Sequence, residues 1–126
     1  MNNLIIEETK YTPSINFNTQ KGVFELMGKS YPENTFDFYK PMMDLVEEYF
    51  DGKEQETTVI NMEIIYFNSS SSKLFFDFFD LVEEAQNNGK TVEINWIYDE
   101  ENDSALEAGE DFQEDFESLT FNLVKK

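Results

Sequence analysis

Apolar positions change their spacing several times along this chain, and each change marks an element. Within the first thirty residues, "NLIIEETKY", "SINFNT" and "VFELMG" set apolar side chains among polar ones at the short period of strands. The "QKG" between the second and third segments is short and carries a glycine, which predicts an antiparallel hairpin. Pro13, between the first two, cannot donate to a ladder and suits a bend or an edge. In "GKSYPENTFDFYKPMMDLVEEYFDG" the period lengthens. Phe36, Tyr39, Met43, Val46 and Phe50 recur at steps of three and four, so a helix with one apolar face is expected, capped by Asn34 with Asp37 three positions on. Pro41 inside that stretch either kinks the helix or marks its first turn.

"TTVINMEIIYF" is dense in β-branched and aromatic residues. With Ile60, Met62, Ile64 and Tyr66 on one face and Val59, Ile65 and Phe67 on the other, it reads as a central strand covered on both sides. Leu74, Phe75, Phe78, Leu81, Val82 and Ala85 form a second amphipathic helix, stopped by Asn87, Asn88 and Gly89. "TVEINWIYD" is a further strand with Val92, Ile94, Trp96 and Tyr98 inward. The acidic stretch after it holds a third helix, and "LTFNLV" closes the chain as a short strand. Strand and helix alternate after residue 33. The expected fold is therefore α/β, of mixed α+β character: one domain over 1–126, a mixed sheet of five to six strands, an N-terminal antiparallel hairpin and about three helices.

Composition narrows the function. At 126 residues the chain is long enough to bury roughly two-thirds of its unfolded surface, and 13 Phe supply the core. Nine basic against 27 acidic residues leave a net charge of −18, which repels nucleic acid and anionic membranes and excludes both as partners. No apolar run reaches the roughly 18 residues of a membrane span, and "MNNLIIEETKYTP" lacks the basic start of a secretory leader, so a cytoplasmic location is expected. With no Cys and no His, thiol chemistry, structural zinc and imidazole catalysis are absent. Carboxylates, Lys, Tyr and hydroxyls remain.

The carboxylates do not assemble into a motif. Asp99, Glu101 and Asp103 match positions 1, 3 and 5 of a calcium loop, with Glu110 at position 12, but Ser104 stands where that loop needs Gly. Glu47 beside Glu48, and Glu83 beside Glu84, point about 100° apart on a helix and suit solvated faces rather than acid-base pairs. A small carboxylate-dependent hydrolase or a divalent-metal-binding protein is the alternative function class. The Phe run at 75, 76, 78 and 79 covers more than one helix face, so core packing leaves Phe76 or Phe79 as the candidate for an exposed patch.

Four hydroxyls in a row, Ser69 to Ser72, follow Asn68 where the most apolar strand gives way to a helix. Such residues cap helix N-termini. That is the reading spacing favours; the sharper one is covalent phosphorylation of one hydroxyl, because a helix N-terminus at the C-terminal edge of a sheet favours an anion.

"GKSYPEN" at 28–34, "YFNSSSSK" at 66–73, "VEINWIYDEEND" at 92–103 and "EAGEDFQED" at 107–115 together resemble the SiaC family of bacterial regulatory phosphoproteins, in order and over nearly the whole chain. The resemblance implies a fold similar to the anti-sigma factor antagonist (STAS-like) domains. It also implies a partner switch rather than an enzyme: a hydroxyl after the central strand is phosphorylated by a dedicated kinase and freed by a PP2C-type phosphatase. In the family the acceptor is usually the Thr after the Asn of "FNTSS", a position held here by Ser69, with Ser70 and Ser71 as neighbouring alternatives. Asn68, Ser72 and Lys73 then belong to the switch loop and its partner contact. Family members bind and activate a diguanylate cyclase when unphosphorylated, which ties them to cyclic di-GMP signalling and biofilm control. No cofactor is implied.

Overall fold

Three short alternating segments and three strand–helix–strand units build one six-stranded sheet. In a computed structural model of the chain the described residues are 3–52 and 57–126; Met1 and Asn2, part of the stretch read for a leader, lie outside them. The elements are β1 (Leu4–Ile6), β2 (Ser14–Asn18), β3 (Val23–Ser30), α1 (Thr35–Asp51), β4 (Thr57–Phe67), α2 (Ser69–Asn87), β5 (Thr91–Tyr98), α3 (Asp103–Asp115) and β6 (Thr120–Lys125). The strands lie in chain order across the sheet. β1 to β3 are antiparallel and β3 to β6 parallel, as expected for a hairpin followed by crossover units.

Crossovers are almost always right-handed, and three in succession step the same way, so all three helices should land on one face. Ring contacts agree. Phe24, Ile60, Ile94 and Phe121 are register partners across β3 to β6 and share a face. Phe24 meets Tyr49 of α1 at 4.9 Å, Phe121 meets Phe79 of α2 at 5.3 Å, and Trp96, two residues beyond Ile94, meets Phe112 of α3 at 5.5 Å. The core is this single interface between helices and sheet.

Among the described residues the opposite face carries no helix. A polar row crosses it in register, Asn16, Glu25, Asn61, Asn95 and Asn122. Asn95 Nδ2 donates to Asn61 Oδ1 at 2.9 Å and Asn122 Nδ2 to Asn95 Oδ1 at 3.0 Å. β4 is therefore covered on one side, not two. Its near-continuous apolarity misleads because the sheet's helix-free face holds Val59 and Ile65 among these amides.

A second departure comes from a bulge. Gly28 pairs with Ile64 but Lys29 pairs with Tyr66, so Ile65 is an extra residue in β4. Strict alternation fails there, and the expected faces of the last two residues are exchanged. Phe67 turns into the core against Phe75, Trp96 and Phe112, while Ile65 and Tyr66 both point to solvent.

α1 begins after Asn34 as expected, but its buried face is Thr35, Tyr39, Met42, Val46 and Tyr49, with Phe36 largely exposed and Met43 and Phe50 at the margins. Pro41 lies inside the helix on its solvent side, where water can serve the carbonyl that loses a donor. α2 starts at Ser69, so the serines are its first turn rather than a connection before it. Phe79 is fully buried, and the partly exposed Phe76 packs on Phe116 at 4.9 Å.

Gly109 is where α3 crosses Trp96. A Cβ there would lie 2.5 Å from Trp96 Cδ1 and 2.8 Å from Leu123 Cδ2, and Trp96 is held by its Nε1–H donation to Ala105 O at 2.9 Å. Alanine gains about 1 kcal/mol in helix propensity, whereas overpacking costs typically 1–3 kcal/mol. Gly109→Ala should therefore lower stability by a net amount of up to about 2 kcal/mol in urea unfolding, with an unchanged m-value.

Candidate functional site

The turn from β4 into α2 is organised from beneath. Asn68 caps α2, its Oδ1 accepting from Ser71 N at 2.9 Å, and its own backbone N–H donates to Ser30 O at 3.1 Å. Ser71 points inward and is fully buried, its hydroxyl donating to Ser30 O at 3.0 Å. That proton being committed, the 2.7 Å contact between Ser30 Oγ and Ser71 Oγ requires Ser30 to donate, and Tyr39 Oη then donates to Ser30 Oγ at 2.6 Å. Three buried hydroxyls thus form an ordered chain that ends on a β3 carbonyl. Burial pushes the Tyr39 phenol well above its ordinary pKa of 10.0, so it remains a donor.

Ser70 is committed differently. Its hydroxyl donates to Asn68 Oδ1 at 3.2 Å and receives Thr35 Oγ1 at 2.8 Å, which ties the first turns of α1 and α2 together. Two helix N-termini therefore lie side by side, each presenting about half a positive charge. Ser72 is half-buried in the first turn, its backbone N–H bonded to Asn68 O at 2.9 Å. Ser69 alone among the four is exposed with its hydroxyl free of any protein partner among the described residues. Lys73 is exposed one turn further on, its Nζ 5.9 Å from the centroid of the Phe36 ring.

The sequence reading named the serine run, Asn68 and Lys73, and the structure brings these together. It missed Ser30, Tyr39 and Thr35. The available signal was Ser30 itself, a polar residue at an inward position of an alternating strand, two places after Gly28 and four after Leu26. Tyr31 is half-buried edge-on between two other tyrosines, 5.3 Å from Tyr11 and 5.5 Å from Tyr66. The acidic candidates lie elsewhere: Asp99 Oδ1 accepts from Glu101 N at 2.9 Å and Asn102 caps α3, an ordinary turn into a helix. Among the described residues no group of three or more carboxylates is arranged to hold a metal ion. A cleft of 780 Å³ opens at the other end of the sheet, between Gly52 and Gly89, and no residue of the serine turn lines it. The serine edge is an open surface, the form that suits a macromolecule rather than a small substrate.

Comparison with known proteins places this geometry. A family model described as SiaC family regulatory phosphoprotein matches residues 6–126. An uncharacterised protein of Pseudomonas aeruginosa strain UCBPP-PA14 is 37% identical over 116 residues, covering 91% of this chain and 90% of its own. SiaC of Pseudomonas aeruginosa superposes with a TM-score of 0.87 at 32% identity, over 100% of this chain and 98% of that one. A chain from the crystal structure of the diguanylate cyclase SiaD in complex with its activator SiaC, from the same organism, also gives a TM-score of 0.87 at 33% identity, over 97% of each.

The hydroxyl chain predicts a pH signature. Tyr39 ionises more readily unfolded than folded, so its contribution is complete below pH 10 and lost as pH climbs above that value. Tyr39→Phe should cost about 1 kcal/mol at pH 7, and the gap to wild type should close between pH 9 and 11 as measured by chemical denaturation.

Proposed function

This chain belongs to the SiaC family of regulatory phosphoproteins, and from that premise we propose that it is a reversible binding switch whose phosphoacceptor is Ser69. A dedicated protein kinase phosphorylates Ser69 and a PP2C-type phosphatase removes the group. The unphosphorylated form binds and activates a diguanylate cyclase, and so acts on cyclic di-GMP output, with biofilm or aggregation as the behaviour under control. The chain is a ligand of an enzyme rather than an enzyme, and its place is the cytoplasm. In support of the effector, a similar chain was crystallised with the cyclase SiaD, of which SiaC is named the activator. No helix among the described residues is long and apolar enough to cross a membrane.

One observation carries the choice of residue. Ser69 is exposed and unengaged, whereas Ser70 holds Thr35 and Asn68, and Ser71 is sealed beneath the helix. Phosphorylating Ser71 requires the first turn of α2 to unwind; phosphorylating Ser69 requires nothing to move.

Magnitudes indicate where the modification acts. A phosphate brings about −1.5 to −2 charges, and a helix N-terminus returns about 0.3 to 1 kcal/mol for a nearby anion. Fold stability therefore changes little. An anion left unpaired in a protein interface costs several kcal/mol, and each 1.4 kcal/mol is tenfold in affinity. Binding to the effector falls about a hundredfold.

Incubation with the kinase and Mg-ATP, followed by phosphosite mapping, should place a single phosphate on residue 69. Ser69→Ala should accept none and still activate the cyclase, Ser69→Asp should lose activation, and Ser69→Thr should switch like wild type. Phosphate on residues 70–72 instead, or equal activation by the Ala and Asp variants, overturns the reading.

A further inference from the structure

Exposure does not separate Ser69 from Ser70. Both residues reach solvent in the first turn of α2, and of the four serines only Ser71 is sealed. Bonding separates them. The amide oxygen of Asn68 can only accept, so Ser70 Oγ spends its proton on Asn68 Oδ1, and Thr35 Oγ1 must be the donor in its 2.8 Å contact with Ser70 Oγ.

Thr35 is an unexpected source for that proton. It is the first residue of α1, yet it is only 5% exposed. Its own helix end does not need it, because Asn34 caps α1 by accepting from Asp37 N at 3.1 Å. The Thr35 hydroxyl crosses instead to a neighbouring helix, 35 residues on in the sequence.

Resting on the switch proposed above, we propose that Thr35 is a positioning residue that withholds Ser70 from the kinase and so confines phosphate to Ser69. In the transfer, the acceptor oxygen bonds to the γ-phosphorus of ATP as the bond from that phosphorus to the β–γ bridging oxygen breaks. ADP leaves, and the hydroxyl proton passes to a base of the kinase. A serine must therefore turn a lone pair and its proton outward. Ser69 is free to do both. Ser70 must first give up Thr35 and Asn68, and each hydrogen bond of ordinary net strength lowers the available fraction by about two- to tenfold. The restraint also protects the turn. A phosphate on Ser70 would displace Thr35 and part the first turns of α1 and α2, whereas one on Ser69 displaces nothing.

Phosphosite mapping with Mg-ATP and the kinase that labels the wild type tests this in the Ser69→Ala background, where residue 69 no longer competes. Ser69→Ala alone should take no phosphate. Adding Thr35→Val keeps the side-chain shape and leaves Ser70 free to bond water. It should open residue 70 to the kinase, at a rate about two- to tenfold below that of Ser69 in the wild type, because Asn68 still holds the proton. Adding Thr35→Ser instead restores the donor and should close residue 70 again. Thr35→Val with Ser69 intact should keep the wild-type Tm and its label on residue 69. Suppose the wild type is labelled on residue 69, but Ser69→Ala with Thr35→Val takes no phosphate or takes it on residues 71 or 72. The inference then fails and the switch stands. Label on residue 70 of Ser69→Ala with Thr35 or Thr35→Ser in place overturns it equally. If the wild type is not labelled on residue 69, the switch reading fails and this one with it.

Discussion

The presentation of Ser69 depends on the burial of Ser71. Hydroxyls can be placed in an apolar interior only if each finds a partner, since one left unsatisfied costs about 1–3 kcal/mol. Ser71, Ser30 and Tyr39 meet that condition together, donating in sequence to one another and finally to the Ser30 carbonyl. With Ser71 fixed inward, helix geometry leaves no freedom above it. Successive residues turn by 100°, so Ser69 stands about 200° from Ser71 and faces away from the core. The backbone bond from Asn68 N to Ser30 O sets the level of the turn against β3. The exposed serine is thus positioned from below.

Topology decides what else gathers at that edge. Because β3, β4 and β5 are parallel and each leads directly into a helix, the N-termini of α1 and α2 open toward the same side of the sheet. This is the edge at which α/β folds commonly bind ligands, for the same reason. The Thr35–Ser70 bond shows the two ends in direct contact. The bulge at Ile65 adds the third component. It turns Phe67 into the core to close the packing around Trp96, and the same step sends Ile65 and Tyr66 outward beside the serine turn. A feature that completes the core also makes the surface.

Much of this was legible in the residues alone. Element order, three helices, the antiparallel start, the cap Asn34 and a cap for α2 among Asn68 and the serines follow from period and side-chain chemistry, which act locally. What was not legible is non-local. Covering β4 on both sides is a sound inference from its apolarity, yet the count of faces is set by crossover direction, which no single strand records. Tyr66 and Phe67 were assigned to the wrong faces because a bulge depends on the pairing strand, here the turn of register after Gly28. The buried hydroxyl chain joins residues 30, 39 and 71, and a spacing of 41 between two serines leaves no periodic trace. The sorting of the four serines is equally non-local, because Ser70 is engaged by Thr35 and Ser71 by Ser30, and only their shared place in the first turn of α2 is a local matter.

Separation of anchoring from presentation explains how a covalent mark can alter binding without remodelling the fold. Many phosphorylation switches work by ordering or melting a segment, and their stability changes with their state. Here the groups that hold the turn, Asn68, Ser70, Ser71 and Ser30, are hydrogen-bonded among themselves and make no use of the Ser69 hydroxyl. An anion added at Ser69 meets solvent, two helix N-termini and Lys73, all of which accommodate it where it stands. The folded chain has no reason to distinguish the two states. A partner docked over the same edge has every reason, because it must either exclude that charge from water or leave. In the switch proposed for Ser69, the free energy of modification would therefore be expressed almost entirely across the interface, which is the condition for a switch that can be thrown repeatedly without unfolding the protein that carries it.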